Sequence, residues 1–156
     1  MDGTGRILVV EDDSQVAEII YWNLLAAGYA VTIAADGLAA LRAFEEEPPA
    51  LVTVDLMLPS VSGFRLVELF KRERPRTPVL VVTALAFEEA DETARAGADD
   101  FITKPFDPQV LVQKVCYFLH PSPAPTTGAS LPSDRLRPLE AVSERRRRRS
   151  LTVLSA

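Results

Sequence analysis

Three runs in this chain are nearly all apolar and rich in β-branched residues: Ile-Leu-Val-Val at 7–10, Leu-Val-Thr-Val at 51–54 and Val-Leu-Val-Val-Thr at 79–83. A strand with one wet face alternates apolar and polar side chains, whereas a strand covered on both faces does not. The runs therefore ask for a sheet with helices on both sides, as parallel sheets have. Ala30–Ala34 and Asp100–Thr103 complete five candidate strands. The stretches between them have helical spacing. Ser14 is the expected N-cap of a helix running to Ala27, with Val16, Ile19, Ile20 and Leu24 on its apolar stripe and Gly28 ending it in the left-handed conformation. Further helices are expected near 37–46, 63–73, 87–96 and 107–119. Gly97 caps the fourth of these. Asp107-Pro108 opens the last, with Val110, Leu111, Val115, Phe118 and Leu119 on its apolar face. Five β-α units in succession predict an α/β fold with a parallel sheet.

The texture changes after His120. Residues 1–120 hold 10 Lys or Arg against 19 Asp or Glu, while 121–156 hold 7 Arg against 3 acids. The expected division is a folded domain over 1–120 and a Pro-rich linker with a basic tail over 121–156, disordered or weakly helical near 133–151. The Arg145–Arg149 run has no interleaved aromatic residue to stack on bases. It reads as a solvated tail, with nucleic acid, an anionic partner or the chain's own acidic domain as alternative contacts. A single cysteine, Cys116, excludes an internal disulfide and is expected to pack within the last helix. A single histidine, His120, excludes His-rich zinc sites. No apolar run approaches the ~18 residues that span a bilayer. Met1–Gly5 lacks the features of a secretory leader, so the expected compartment is the cytoplasm.

Function is sought where the strands end, because ligands of open α/β sheets bind beyond the carboxyl ends of the strands. The first strand runs into Glu11-Asp12-Asp13, the third into Asp55, the fourth into Thr83-Ala84 and the fifth into Lys104-Pro105. Clustered carboxylates repel each other, and a hard divalent cation relieves that repulsion. Oxygen ligands without His or Cys suit Mg²⁺, which keeps several waters and completes its shell with a phosphoryl oxygen. Asp55 is then a candidate nucleophile that forms an aspartyl phosphate. Lys104 is placed to pair with one phosphoryl oxygen, and the Thr83 hydroxyl to donate to another. The acidic pair is Glu11/Asp12 or Asp12/Asp13. The first is favoured because Asp13 leads into the helix, where a negative charge suits the dipole.

With these residues the chain resembles the receiver domain of two-component response regulators. The matching segments are Ile-Leu-Val-Val-Glu-Asp-Asp (7–13), Val-Asp-Leu-Met-Leu-Pro-Ser-Val-Ser-Gly (54–63), Val-Thr-Ala (82–84) and Ala-Gly-Ala-Asp-Asp-Phe-Ile-Thr-Lys-Pro-Phe (96–106). The resemblance implies a flavodoxin-like, doubly wound sheet of order 2-1-3-4-5 and a cis bond before Pro105. It implies Asp55 as phosphoacceptor, and Glu11, Asp12, Asp55 and the Met57 carbonyl as Mg²⁺ ligands. Thr83 and Lys104 would bind the phosphoryl group, and Phe101 would be the switch aromatic. Met57 and Leu85, both apolar, occupy the positions that govern attacking water and imply slow self-hydrolysis.

The implied function is a signalling switch. A histidine kinase or histidine phosphotransfer protein donates the phosphoryl group, and the face made by the fourth helix, fifth strand and fifth helix changes its binding. A homodimer through that face is a further expectation, with Glu88, Glu89, Asp91, Asp99 and Asp100 as acids and mainly Lys114 as cation. Two other readings compete. One is a receiver-like module that needs no phosphate. The other is a Mg²⁺ phosphatase of the haloacid dehalogenase type, which Met57 disfavours because it stands where the second Asp of Asp-x-Asp belongs. A DNA-binding output domain missing from this sequence, with the chain either a stand-alone regulator or a piece cut within the linker, is a further way in which nucleic acid could be reached.

Overall fold

The computed structural model describes residues 5–85 and 90–121. Ten elements alternate along the chain: β1 Arg6–Val10, α1 Ser14–Ala26, β2 Ala30–Ala34, α2 Gly37–Glu46, β3 Leu51–Val54, α3 Gly63–Glu73, β4 Val79–Thr83, α4 Ala90–Arg95, β5 Asp100–Thr103 and α5 Pro108–Leu119. The strands form one parallel sheet in the order β2-β1-β3-β4-β5, the flavodoxin-like arrangement. The expected start of the fourth helix at 87–89, with Glu88 and Glu89, lies outside the described residues. So do everything from 122 onward and the Arg145–Arg149 run.

The three apolar runs are β1, β3 and β4, the central strands of the sheet. Val9, Val52, Val81 and their neighbours are buried because helices cover both faces. On one face Leu8, Val10, Val52, Val54, Val79 and Val81 pack against Phe44 of α2 and Leu66, Val67 and Phe70 of α3. The Phe44 and Phe70 rings stack at 4.4 Å between centroids. On the other face Ile7, Val9, Leu51, Leu80 and Val82 pack against Ile20 and Leu24 of α1 and Leu111 and Val115 of α5. Truncating a ring such as Phe70, which is fully buried, costs about 3–5 kcal/mol.

Four local expectations are corrected. Asp13, not Ser14, caps α1: its carboxylate accepts from the Gln15 and Val16 backbone N–H groups at 2.9 and 3.2 Å. A charged acceptor satisfies two orphan donors at the positive end of the helix, which a hydroxyl one residue later cannot. Ile19 leaves the buried stripe and is 47% exposed, because Ala17, Ile20 and Leu24 face the sheet instead. Val110 is likewise turned outward on α5 while Leu111 and Val115 face in. Cys116 is exposed rather than packed. The remaining caps stand as read. Gly28 has φ 95° and Gly97 φ 97°, and Asp107 caps α5 with Pro108 as its first residue. Among the described residues no helix is long and apolar enough to cross a membrane.

Candidate functional site

The parallel register brings the strand ends together. Val10 of β1 lies opposite Val54 of β3, and the Asp55 N–H donates to the Val10 carbonyl at 3.0 Å, so Glu11 and Asp55 leave adjacent strands side by side. Thr83 and Thr103 are opposite at the ends of β4 and β5, and the Lys104 N–H donates to the Thr83 carbonyl at 2.8 Å. Strands lie about 4.8 Å apart, so the Lys104 backbone is two spacings from β3. Its side chain crosses that gap. The ammonium donates to Asp55 Oδ2 at 2.8 Å and to Glu11 Oε2 at 2.6 Å. The Lys104–Pro105 bond is cis, as the resemblance implies.

Glu11 and Asp55 are both nearly enclosed, at 2% and 5% exposure, whereas Asp12 opens to solvent. One carboxylate oxygen from each of Glu11, Asp12 and Asp55 lies within 4.8 Å of the others. Two unit charges at that range repel by about 3–4 kcal/mol at an effective dielectric of 20. Lys104 supplies one positive charge against three negative ones. The remaining two negative charges, carried by oxygen alone, match a small hard divalent cation, so the donor set fits Mg²⁺. Asp13 stands apart from this group as the α1 cap, and its N–H donates to Glu11 Oε1 at 3.1 Å. The geometry thus gathers Glu11 and Asp12 rather than Asp12 and Asp13.

The electrostatics follow from the enclosure. Burial pushes the Glu11 carboxyl above the usual glutamate range. The Lys104 hydrogen bond opposes this, and the Asp55 charge adds to it. For Lys104, burial pulls the ammonium down, but the hydrogen bonds it donates to Asp55 and Glu11, together with their negative charges, outweigh it and leave it above its ordinary value. The cation is therefore held charged between its two acids.

Thr83 is buried, and its hydroxyl oxygen accepts from the Leu85 N–H at 3.3 Å. Asp55 Oδ1 accepts from the Met57 N–H at 2.9 Å, which folds the loop after β3 back over the carboxylate. The Met57 side chain is 57% exposed, and Leu85 packs partly against the core. Phe101 is half-buried against the same cluster, paired with Val81 in the sheet. Gly63 is a residue to which sequence reasoning gave no role. A Cβ there would meet the Asp55 carbonyl oxygen and Leu56 Cα, so the start of α3 can approach the Asp55 loop this closely only without a side chain. The signal was a lone glycine between the loop after β3, which carries Pro59, and the next amphipathic run.

The profile of the response regulator receiver domain matches residues 7–116. The chain belongs to that family. Receivers of transcriptional regulators are among its similar proteins. It is 33% identical over 133 residues to the alkaline phosphatase synthesis transcriptional regulatory protein PhoP of Bacillus subtilis, covering 84% of this chain and 55% of PhoP. It is 36% identical over 113 residues to the DNA-binding dual master transcriptional regulator RpaA of Synechocystis, covering 70% of this chain and 47% of RpaA. The chain spans about half the length of these relatives. Among solved structures, the BeF3-activated receiver domain of DrrB matches with a TM-score of 0.70 at 34% identity, over 74% of this chain and 97% of that one. A CheY-like receiver from Methanospirillum hungatei matches with a TM-score of 0.70 at 35% identity, over 73% of this chain and 92% of that one.

Proposed function

We propose that this receiver is a switch operated by phosphorylation of Asp55. The observation that carries the reading is the enclosed Asp55 carboxylate, 2.8 Å from the Lys104 ammonium and grouped with Glu11 and Asp12. An oxygen of Asp55 attacks phosphorus, the bond from phosphorus to the donor's leaving group breaks, and an acyl phosphate remains on the chain. Lys104, already charged, exchanges its contact with Asp55 for a phosphoryl oxygen. The Thr83 hydroxyl turns from the Leu85 N–H to donate to another. Glu11, Asp12, Asp55 and the Met57 carbonyl are the proposed ligands of Mg²⁺, which when bound neutralises charge at the transferring phosphoryl group.

The proposed donor is a histidine kinase or a histidine phosphotransfer protein of the cytoplasm. The proposed readout is altered binding at α4, β5 and α5, with Phe101 moving inward as Thr83 follows the phosphoryl group. The folded receiver is taken to end near residue 120. Acetyl phosphate with Mg²⁺ tests the reading directly. Intact mass should show one phosphoryl group on the wild-type chain and none on Asp55→Asn. A wild-type chain that stays unmodified, or a variant that still gains the group, would overturn it and favour the phosphate-independent module.

A further inference from the structure

α2 and α3 cover the same face of the sheet, and an open groove of about 370 Å³ runs between them. Half-buried Leu41 and Leu69 line it above the stacked rings of Phe44 and Phe70. Exposed Glu45 and Glu73 form its rim, and the Arg74 guanidinium is 5.6 Å from the Phe44 ring centre. Charge at the end of α2 is unbalanced. Its last turn holds Glu45 and Glu46 and no basic residue, whereas α3 ends with Lys71 and Arg72 in its last turn. Carboxylates there add to the negative end of the helix dipole, where a cation is favoured. Among the described residues, the ion pair of this acidic run is the one from Glu47 to Arg6. The groove therefore suits a ligand that is apolar in one part and cationic beside it.

We propose that this groove is the docking site of the chain's own segment 145–154. That segment is Arg145–Arg149 followed by Ser-Leu-Thr-Val-Leu. Leu151, Val153 and Leu154 seat between α2 and α3, and the arginines face Glu45, Glu46 and Glu73. A nucleic-acid backbone would take the arginines and leave the three apolar residues in water; the groove takes both. Position favours the same occupant. A Cβ on Gly5 would meet both Ala50 and Leu119, so α5 ends beside the starts of β1 and β3. Glu47 lies three residues before Ala50 and pairs with Arg6 of β1, so α2 ends at that same edge of the sheet. The chain thus leaves its last described helix on the side where the acids stand. The 23 residues of 122–144 can reach up to roughly 75 Å, and a folded unit of this size has a radius of gyration of only about 13 Å. A segment tethered this way is present at an effective concentration in the millimolar range, so a modest contact holds it and a second copy competes poorly.

Trypsin cuts after arginine, so the docked segment carries its own reporter. Arg135 precedes it in the chain and serves as the reference. Mass spectrometry of brief digests of the full chain gives the ratio of cleavage within 145–149 to cleavage after Arg135. Cleavage follows the undocked population. A contact of about 0.1 mM affinity under a millimolar effective concentration lowers the ratio about tenfold. The variant Leu151→Ser with Val153→Ser and Leu154→Ser keeps every arginine and should lose that protection. Leu69→Ser should raise the ratio as well, and so should Glu45→Gln with Glu73→Gln, whose exposed positions leave the fold untouched. Glu18→Gln on α1 should match wild type. Protection should be the same over a roughly tenfold range of protein concentration. Equal ratios in wild type and the triple-serine variant overturn the proposal. Protection that survives both groove variants places the segment elsewhere, protection that grows with concentration assigns it to a second copy, and protection seen only on adding duplex DNA assigns the arginines to nucleic acid; each of these overturns it.

Discussion

Lys104 and Asp55 are 49 residues apart in sequence, and their charged atoms are 2.8 Å apart in space. The same ammonium holds Glu11 at 2.6 Å. Replacing Lys104 with Met leaves two enclosed carboxylates facing each other without a cation. Losing one partner of such a pair costs about 3–5 kcal/mol when burial is complete, and the partial exposure of Lys104 reduces this. Lys104→Met should therefore unfold at lower denaturant than wild type, and Lys104→Met with Glu11→Gln should recover part of the loss. Equal midpoints for wild type and Lys104→Met would show that the bridge holds nothing.

Binding of a divalent ion to the folded state raises stability by RT ln(1 + [L]/Kd), about 1.4 kcal/mol at ten times Kd. Mg²⁺ should raise the thermal midpoint of the wild-type chain, and EDTA should reverse the gain. Asp12→Asn keeps the enclosed Glu11–Lys104–Asp55 contacts but removes one proposed ligand, so the Mg²⁺ effect should shrink. Asp13→Asn preserves a good helix cap and should leave the effect intact. Equal losses in the two variants would contradict the choice of Glu11 and Asp12 as the pair.

Loss of the phosphoryl group needs a positioned water, and the two flanking side chains, Met57 and Leu85, offer it no polar partner. The phosphorylated chain should decay slowly, over far more than seconds. Met57→Asn places a hydrogen-bonding group on an exposed side chain next to the site and should speed decay by about tenfold. Radiolabel or mass measurements after removal of the donor give both rates. A wild-type half-life of seconds would contradict the reading of these two positions.

Gly63→Ala should lower stability by about 1–3 kcal/mol, because the added methyl meets the backbone of Asp55 and Leu56 rather than the tip of a flexible side chain. The same displacement moves the carboxylate loop, so phosphorylation by acetyl phosphate should slow together with the loss of stability. Denaturant unfolding and the labelling rate check the two effects separately.

Burial holds the Tyr29 hydroxyl above the ordinary tyrosine value, and nearby Cys116 adds to the rise. The folded chain keeps this proton longer than the unfolded one. The resulting stability is complete below the ordinary ionisation near pH 10 and is lost as pH rises through the raised value. Tyr29→Phe has nothing to ionise there. The stability advantage of wild type over Tyr29→Phe should therefore fall between about pH 9 and about pH 11. An advantage that stays constant would mean that the hydroxyl titrates as it does in the unfolded chain.

The strands at 7–10, 51–54 and 79–83 were legible because a strand wet on one face would alternate, and these runs are nearly all apolar. The acids and the lysine were legible because they follow those strands directly. On α1 Val16, Ile20 and Leu24 pack on the sheet as read, but the edge of the stripe was not legible: Ile19, Trp22 and Leu25 are as apolar as their buried neighbours, so periodicity could not say that Ile19 would turn outward. The Asp13 cap was hidden by Ser14 beside it, since both residue types cap helices. The bridge from Lys104 to Glu11 spans 93 residues and two strands, a distance no local pattern reports. Gly63 acts through a backbone approach that composition does not encode.

The strand order has one more result. Glu11 and Asp12 follow β1, Asp55 follows β3, Thr83 ends β4 and Lys104 follows β5, so no contiguous piece of the chain carries a working pocket. The pocket comes into being only when four strands have zipped in register. A fragment ending before β5 would retain every acid and lack the amine that restrains them, so capacity to accept phosphate should report on completion of the sheet itself.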